Sequence, residues 1–178
     1  MKLRQLCLCA LFAALTAIGA FLKIPFALSA ITLQFFFTAM AGILLGAKLG
    51  GLSQLVYVLL GLCGLPIFTM GGGLGYVFQP SFGYLLGLIP AAWIIGKLQE
   101  KHLPYWAAML CGLAALYAVG LPYLWAIMNL YRGTAMPFGA VVKGGMLVYL
   151  PGDALKIAAA SVLCRKIRPV LARIFMLP

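Results

Sequence analysis

The run Ile31-Thr32-Leu33-Gln34-Phe35-Phe36-Phe37-Thr38-Ala39-Met40-Ala41-Gly42-Ile43-Leu44-Leu45 is followed by Gly46-Ala47-Lys48-Leu49-Gly50-Gly51 and then by Leu52-Ser53-Gln54-Leu55-Val56-Tyr57-Val58-Leu59-Leu60-Gly61-Leu62. Two apolar stretches flank a short glycine-rich turn that holds one lysine. A helix crossing the hydrocarbon layer needs roughly 20 mostly apolar residues. The segment predicts two membrane helices, about Ile31–Leu45 and Leu52–Leu62, joined by a tight turn at 46–51.

The same pattern extends in both directions. A first helix is expected over Leu3–Leu22, with Lys23-Ile24-Pro25 and Ser29 marking the loop after it. The basic start and Ile18-Gly19-Ala20 loosely resemble a secretory signal, but a first membrane helix is the simpler reading. Beyond Leu62, Gly64-Leu65-Pro66-Ile67-Phe68-Thr69-Met70-Gly71-Gly72-Gly73-Leu74-Gly75 is apolar yet full of helix breakers. Irregular backbone at membrane depth is tolerated only where it is buried in protein or lines a cavity. A fourth helix is expected over Pro80–Ile95, then a polar loop with Lys97, Glu100, Lys101 and His102. A fifth is expected over Tyr105–Leu130, then a longer connection with Arg132, Pro137 and Lys143, and a sixth from Gly152 to about Ile167. The expected architecture is an all-α integral membrane bundle of six transmembrane helices, forming a single domain over residues 1–178.

Composition agrees. Of the 178 residues, 65% are hydrophobic and only 8% are charged, against about 25% charged in an ordinary soluble domain; mean hydropathy is +1.12. The net charge of +11 does not point to nucleic acid, because the basic residues are scattered between apolar runs or gathered at the ends. With the N-terminus in the cytoplasm, Lys2, Arg4, Lys48, Lys97, Lys101, Arg165, Lys166, Arg168 and Arg173 fall on the inner side. Only Lys23, Arg132 and Lys143 fall on the outer side. That asymmetry obeys the positive-inside rule and puts both termini in the cytoplasm. Membrane lipid is then an expected partner.

Few side chains carry chemistry. Cys7, Cys9, Cys63, Cys111 and Cys164 lie mostly in apolar runs and suggest neither a disulfide framework nor a metal site. His102 is the only histidine and lies in the expected loop beside Glu100. No acid, base and nucleophile fall within plausible reach of one another, so no enzymatic activity, metal or cofactor is expected. Asp153 is the only aspartate and stands in Leu150-Pro151-Gly152-Asp153-Ala154-Leu155-Lys156. Proline and glycine can open a helix that Asp153 caps, and Lys156 shares its helical face. One reading is a cap with an internal ion pair. The other is a ligand site, since an ionisable residue inside the membrane costs about 3 kcal/mol at the bilayer centre and is commonly functional. A ligand suited to such a bipolar patch offers N–H donors together with an acceptor or anionic group.

The glycines at 71–75 lack the Gly-Lys-Ser/Thr ending of a phosphate loop. They permit close backbone approach, and Phe68, Tyr76, Phe78 and Tyr84 flank them. They read either as a packing loop or as part of an apolar pocket. Ala10/Ala14 and Ala13/Ala17 in the first helix, and Gly42, Gly46 and Gly50 near the second, are small-xxx-small pairs that allow close helix packing, within the bundle or against another membrane protein.

These pieces together resemble the BioY family, the biotin-specific substrate-binding subunits (S components) of energy-coupling factor (ECF) vitamin transporters. The resemblance rests on Thr32-Leu33-Gln34, on Gly46–Gly51 with Lys48, on Tyr57 with Gly61-Leu62-Cys63-Gly64-Leu65-Pro66-Ile67-Phe68, and on Gly71-Gly72-Gly73. Pro80 with Gly83-Tyr84-Leu85-Leu86-Gly87, and Pro151-Gly152-Asp153 with Lys156, complete it. It implies a six-helix protein of the bacterial or archaeal cytoplasmic membrane whose outward pocket is capped by the loops after helices one, three and five. It further implies that Asp153 and Lys156 contact biotin, that Phe68 and the loop with Gly72 and Gly73 wrap the bicyclic ring, and that Gln79, Tyr84 and Gln34 lie near it. The implied partners are a transmembrane coupling protein, docking on Ala10, Ala13, Ala14 and Ala17, and two ATP-binding subunits. The family pattern is richer in glycine than Gln79-Pro80-Ser81-Phe82-Gly83 is here. Another small vitamin on the same scaffold, or a membrane assembly protein without ligand, are the rival readings.

Overall fold

The computed structural model describes residues 3–25 and 30–175. Lys2 and Ser29 lie outside the described residues, as does the side chain of Arg173. The chain runs as α1 (Leu3–Phe21), β1 (Lys23–Pro25), β2 (Ala30–Thr32), α2 (Gln34–Leu62), α3 (Phe82–Glu100), α4 (Tyr105–Ala126), α5 (Phe138–Val142) and α6 (Leu150–Phe175). A 3-10 turn, Leu74–Phe78, interrupts the loop before α3. Among the described residues, five helical stretches, α1, α2, α3, 105–131 and 138–170, are long and apolar enough to cross a membrane. This is an all-α, multi-pass membrane bundle with one small β ribbon.

The α2 stretch is not a rod. Gly46 has φ 78° and ψ 179°, a conformation that only glycine adopts without strain. Beyond it the chain turns back on itself. Gln34 Nε2 donates to Tyr57 Oη at 2.9 Å, and Thr38 Oγ1 donates to Gln54 Oε1 at 2.9 Å. A Cβ on Gly50 would sit 3.0 Å from Gly42 Cα. The element is therefore an antiparallel pair of helical arms, 34–45 and 47–62, with Gly46 at the tip. The expected turn over 46–51 shrinks to this one residue, because Ala47–Gly51 already belong to the second arm.

Other boundaries also move. The expected loop after the first helix contains a ribbon, β1 pairing antiparallel with β2 so that Lys23 faces Thr32; Ile31 belongs to that ribbon and not to a helix. The expected polar loop at 97–100 is the last turns of α3, and Glu100 is held there: its Oε1 accepts the Ala47 amide and its Oε2 pairs with Lys97. The last membrane helix does not start at Gly152. Pro137 opens α5, and Gly144-Gly145 is absorbed in a widened π-type turn over Lys143–Leu147. Pro151-Gly152 then lies within a helical run, and the Asp153 amide donates to Tyr149 O at 2.9 Å. Asp153 is thus no N-cap.

The core lies between α2, α3 and α4, with α1 and α6 packed on the outside of α2. Gln54 is fully buried and ties three segments together, accepting from Thr16 of α1 at 3.2 Å and from Thr38. Its amide donates to Ser53 Oγ, which in turn donates to Gly50 O. In lipid such groups have no water to fall back on, so they bond across helices. The Gly46 tip lies with the start of α1 (Cys9 Sγ to Leu49 O), the end of α3, and the α4/α6 ends joined by Arg168 and Tyr105. The start of α1 and the last turns of α6 therefore lie at one end of the bundle, with Arg4, Lys48, Lys97, Lys101, Arg165, Lys166 and Arg168. The ribbon and the 63–81 loop lie at the other.

A Cβ on Gly96 would collide with the backbone of Ala47 and Gly46. Gly96→Val is therefore expected to destabilise the protein by about 2 kcal/mol through overpacking. Gly51→Ala, whose added Cβ finds Trp93 at an ordinary 3.5 Å, is expected to leave stability equal or higher, since alanine is favoured over glycine within helices. Thermal unfolding of the two variants in detergent checks the difference.

Candidate functional site

The cavity lies toward the ribbon end of the bundle. Asp153 and Lys156, one turn apart on α6, project into it. Asp153 is buried at 4% exposure and Lys156 is half-buried. Lys156 Nζ lies 2.8 Å from Asp153 Oδ1, and Tyr117 Oη of α4 donates to Asp153 Oδ2. The pair is therefore neither isolated nor used up. A carboxylate offers about four acceptor positions and an ammonium three donors, and one ion-pair bond with one phenol fills only part of that set.

The opposite wall is made by Gln34, Thr32 and Phe35 from the β2/α2 corner, and by Tyr84, Leu85 and Leu88 from α3. Gln34 is oriented by two bonds, donating to Tyr57 and accepting from Thr32 Oγ1 at 2.9 Å. Tyr84 Oη donates to Gly145 O at 2.8 Å. That bond is possible because the π-type turn turns the Gly145 carbonyl toward α3, and a Cβ on Gly145 would meet the Tyr84 hydroxyl at 2.7 Å. Gly120 gives the same ring its other seat, since a Cβ there would collide with it at 2.5 Å. Thr69, Tyr76 and Ser81 close the outer side, linked by a 2.7 Å bond between Thr69 Oγ1 and Tyr76 Oη and a 3.4 Å one on to Ser81.

Of the residues singled out from the sequence, Asp153, Lys156, Gln34 and Tyr84 line this cavity. Phe68, Gly72, Gly73 and Gln79 do not. Phe68 is buried behind the lining: its ring lies against Gly61, where any Cβ would overlap it, and edge-on to Tyr57. A Cβ on Gly72 would collide with Leu65 O, and Gly73, at φ 98°, donates its amide to Gly61 O at 2.7 Å. These residues fold the loop back over the end of α2 and so fix the positions of Thr69 and Tyr76. Phe82 packs against Tyr76 and Tyr123 in the core and is not part of the cavity lining. Tyr117, Tyr149, Thr69 and Ser81 were missed. A tyrosine within the apolar run of α4 was the available signal for Tyr117: a buried phenol needs a partner. Among the described residues, no three His, Cys, Asp or Glu side chains gather as a metal site. The small-residue stripe of α1 is split: Ala10 and Ala14 are exposed, Ala13 is buried and Ala17 half-buried against the bundle.

A polar, charge-compensated patch in an apolar cavity of a membrane bundle suits a small amphipathic solute. Comparison with known families agrees with the sequence resemblance: the model of the BioY family matches residues 1–173. The chain belongs to the BioY family. A "Probable biotin transporter BioY" of Lysinibacillus sphaericus is 41% identical over 93% of this chain and 87% of its own length. A "Biotin transporter BioY" of Thermotoga maritima is 33% identical over 93% of this chain and 96% of its own. Among solved structures, the crystal structure of an S-component for biotin from an ECF-type ABC transporter superposes with a TM-score of 0.71 at 28% identity. It covers 94% of this chain and 92% of that one.

Removing one member of a buried ion pair strands the other and costs about 3 kcal/mol or more. In ligand-free protein, Asp153→Asn and Lys156→Met are each expected to lower the unfolding temperature. The double variant is expected to lose less than the sum, with a coupling of at least about 1 kcal/mol. A thermal-unfolding double-mutant cycle measures it.

Proposed function

We propose that this protein is the specificity subunit of an ECF transporter, binding biotin with high affinity and taking it up across the cytoplasmic membrane of a bacterial or archaeal cell. The observation that carries the reading is the Asp153–Lys156 pair, buried yet open to a cavity and steadied by Tyr117. Biotin's bicyclic ureido ring has two N–H donors and a carbonyl, and its valerate chain is apolar with a terminal carboxylate. Asp153 accepts a ureido N–H in this reading, and Lys156 donates to an oxygen of the ligand. Gln34 and Tyr84 flank the ring, and Phe68, Gly72 and Gly73 serve by holding the loop that covers it. The names carried by the relatives and by the structural neighbour support the same ligand.

The chain works as one domain over 1–178 with six crossings, each arm of α2 counting as one. The basic residues gathered at the Gly46 end support the orientation with both termini in the cytoplasm and the cavity facing outward. The protein is a carrier and no enzyme. Its energy comes from ATP bound by two separate subunits, through a transmembrane coupling protein that docks on the alanine stripe. Ala10 and Ala14, exposed on α1, are the accessible part of that surface.

Labelled biotin is expected to bind the purified protein well below micromolar concentration and to be displaced by no other vitamin of a competing panel. Asp153→Ala is expected to weaken binding at least tenfold, about 1.4 kcal/mol. Binding no tighter than micromolar, an unchanged mutant, or displacement by a different vitamin would each count against the reading.

A further inference from the structure

The chain has only two acidic side chains, Asp153 and Glu100. Asp153 is bonded to Lys156 at the inner end of the cavity, and Glu100 is bonded to Lys97 and Ala47 at the opposite end of the bundle. Toward the ribbon end the cavity thus holds a carboxylate already paired with Lys156, while the ribbon itself carries Lys23. This lysine stands on β1 directly opposite Thr32, and its ammonium donates to the backbone carbonyl of Thr69. Thr32 and Thr69 both line the cavity. Lys23 does not itself line the cavity, but it is an exposed cation beside two residues that do, and among the described residues a neutral oxygen is its only bonded partner.

Resting on the biotin reading above, we propose that Lys23 is a specificity-determining residue that receives the carboxylate of the ligand's acyl tail at the cavity rim. The two ends of the cavity differ in what they can offer an anion. At the inner end Lys156 is already neutralised by Asp153, so a second carboxylate there would face the Asp153 charge and the cost of burying it. At the rim an uncompensated ammonium remains partly in water, where its desolvation is cheap and a charge-assisted bond is still available. The ligand therefore enters ring first. The ureido group meets Asp153 and Lys156, which assigns the Lys156 bond to the ureido carbonyl, and the tail runs outward past Ile31 to Lys23. Binding of the tail also joins the ribbon to the 63–81 loop through the same ammonium.

Isothermal titration of biotin and of its uncharged primary carboxamide, on wild type, Lys23→Met and the exposed same-end control Lys143→Met, tests this. Wild type and Lys143→Met are expected to bind biotin about tenfold more tightly than the carboxamide, the size of one charge-assisted bond. Lys23→Met is expected to lose about tenfold for biotin, keep its carboxamide affinity, and so lose the preference. Equal weakening for both ligands would mean that Lys23 merely fastens ribbon to loop, and unchanged biotin binding would mean that it does nothing for the tail; either overturns the assignment. Wild-type binding of both ligands without preference overturns it while leaving the biotin reading intact. Binding of neither removes both.

Discussion

Close approach of helix backbones at glycine is the constraint on which the rest of this structure depends. In a membrane, lipid tails are as apolar as leucine, so water does not drive helices together and contact must come from tight packing and interhelical bonds. Gly42 lies against Ala92 O and Ile95, Gly87 against the Leu116 backbone, Gly96 against Ala47, and Gly112 against Ile95. Each is a place where the added carbon of alanine would meet atoms at 3 Å or less. Together they lock the two arms of α2, α3 and α4 into one unit, and α1 and α6 add to its outside.

That closeness lets the polar groups reach one another. Gln54 can serve Thr16 and Thr38 at once only because the arms of α2 and the helix α1 nearly touch. The same logic builds the site. Tyr84 is seated against Gly120 and reaches Gly145 O, and Gly83 gives room for the Tyr123 ring, whose hydroxyl bonds to Val77 O in the loop above. Glycines in the helices thus set the position of the tyrosines, and the tyrosines hold the cavity wall and the covering loop.

At the cavity this scheme stops short of full satisfaction. Gln34, Tyr57, Tyr84 and Gln54 have their bonds within the protein, so the frame is rigid. Asp153 and Lys156 have each other and Tyr117, with donor and acceptor positions left over that face a cavity. Ionisable groups within a membrane are costly and commonly mark a functional site.

The apolar runs by themselves determined that the chain is a multi-pass helical bundle, because the bilayer demands long uninterrupted hydrophobic helices and few other solutions exist. Lone charges were equally legible. Asp153 and Lys156 stood out because each is expensive in lipid, and Gly46 stood out as a breaker between two apolar runs. Contacts made at a distance were not legible. Tyr117 lies 36 positions from Asp153, and nothing local to an apolar helix marks which tyrosine faces a carboxylate. The connection at 131–149 gave no local sign of the widened turn over Lys143–Leu147, where Gly145 packs against Tyr84 and Leu124. Phe68, Gly72 and Gly73 looked like ligand contacts because glycine permits close approach to anything. In the structure Gly61 lies against Phe68 and Leu65 O lies against Gly72; a residue's pattern records that space is needed, and only the fold determines what fills it.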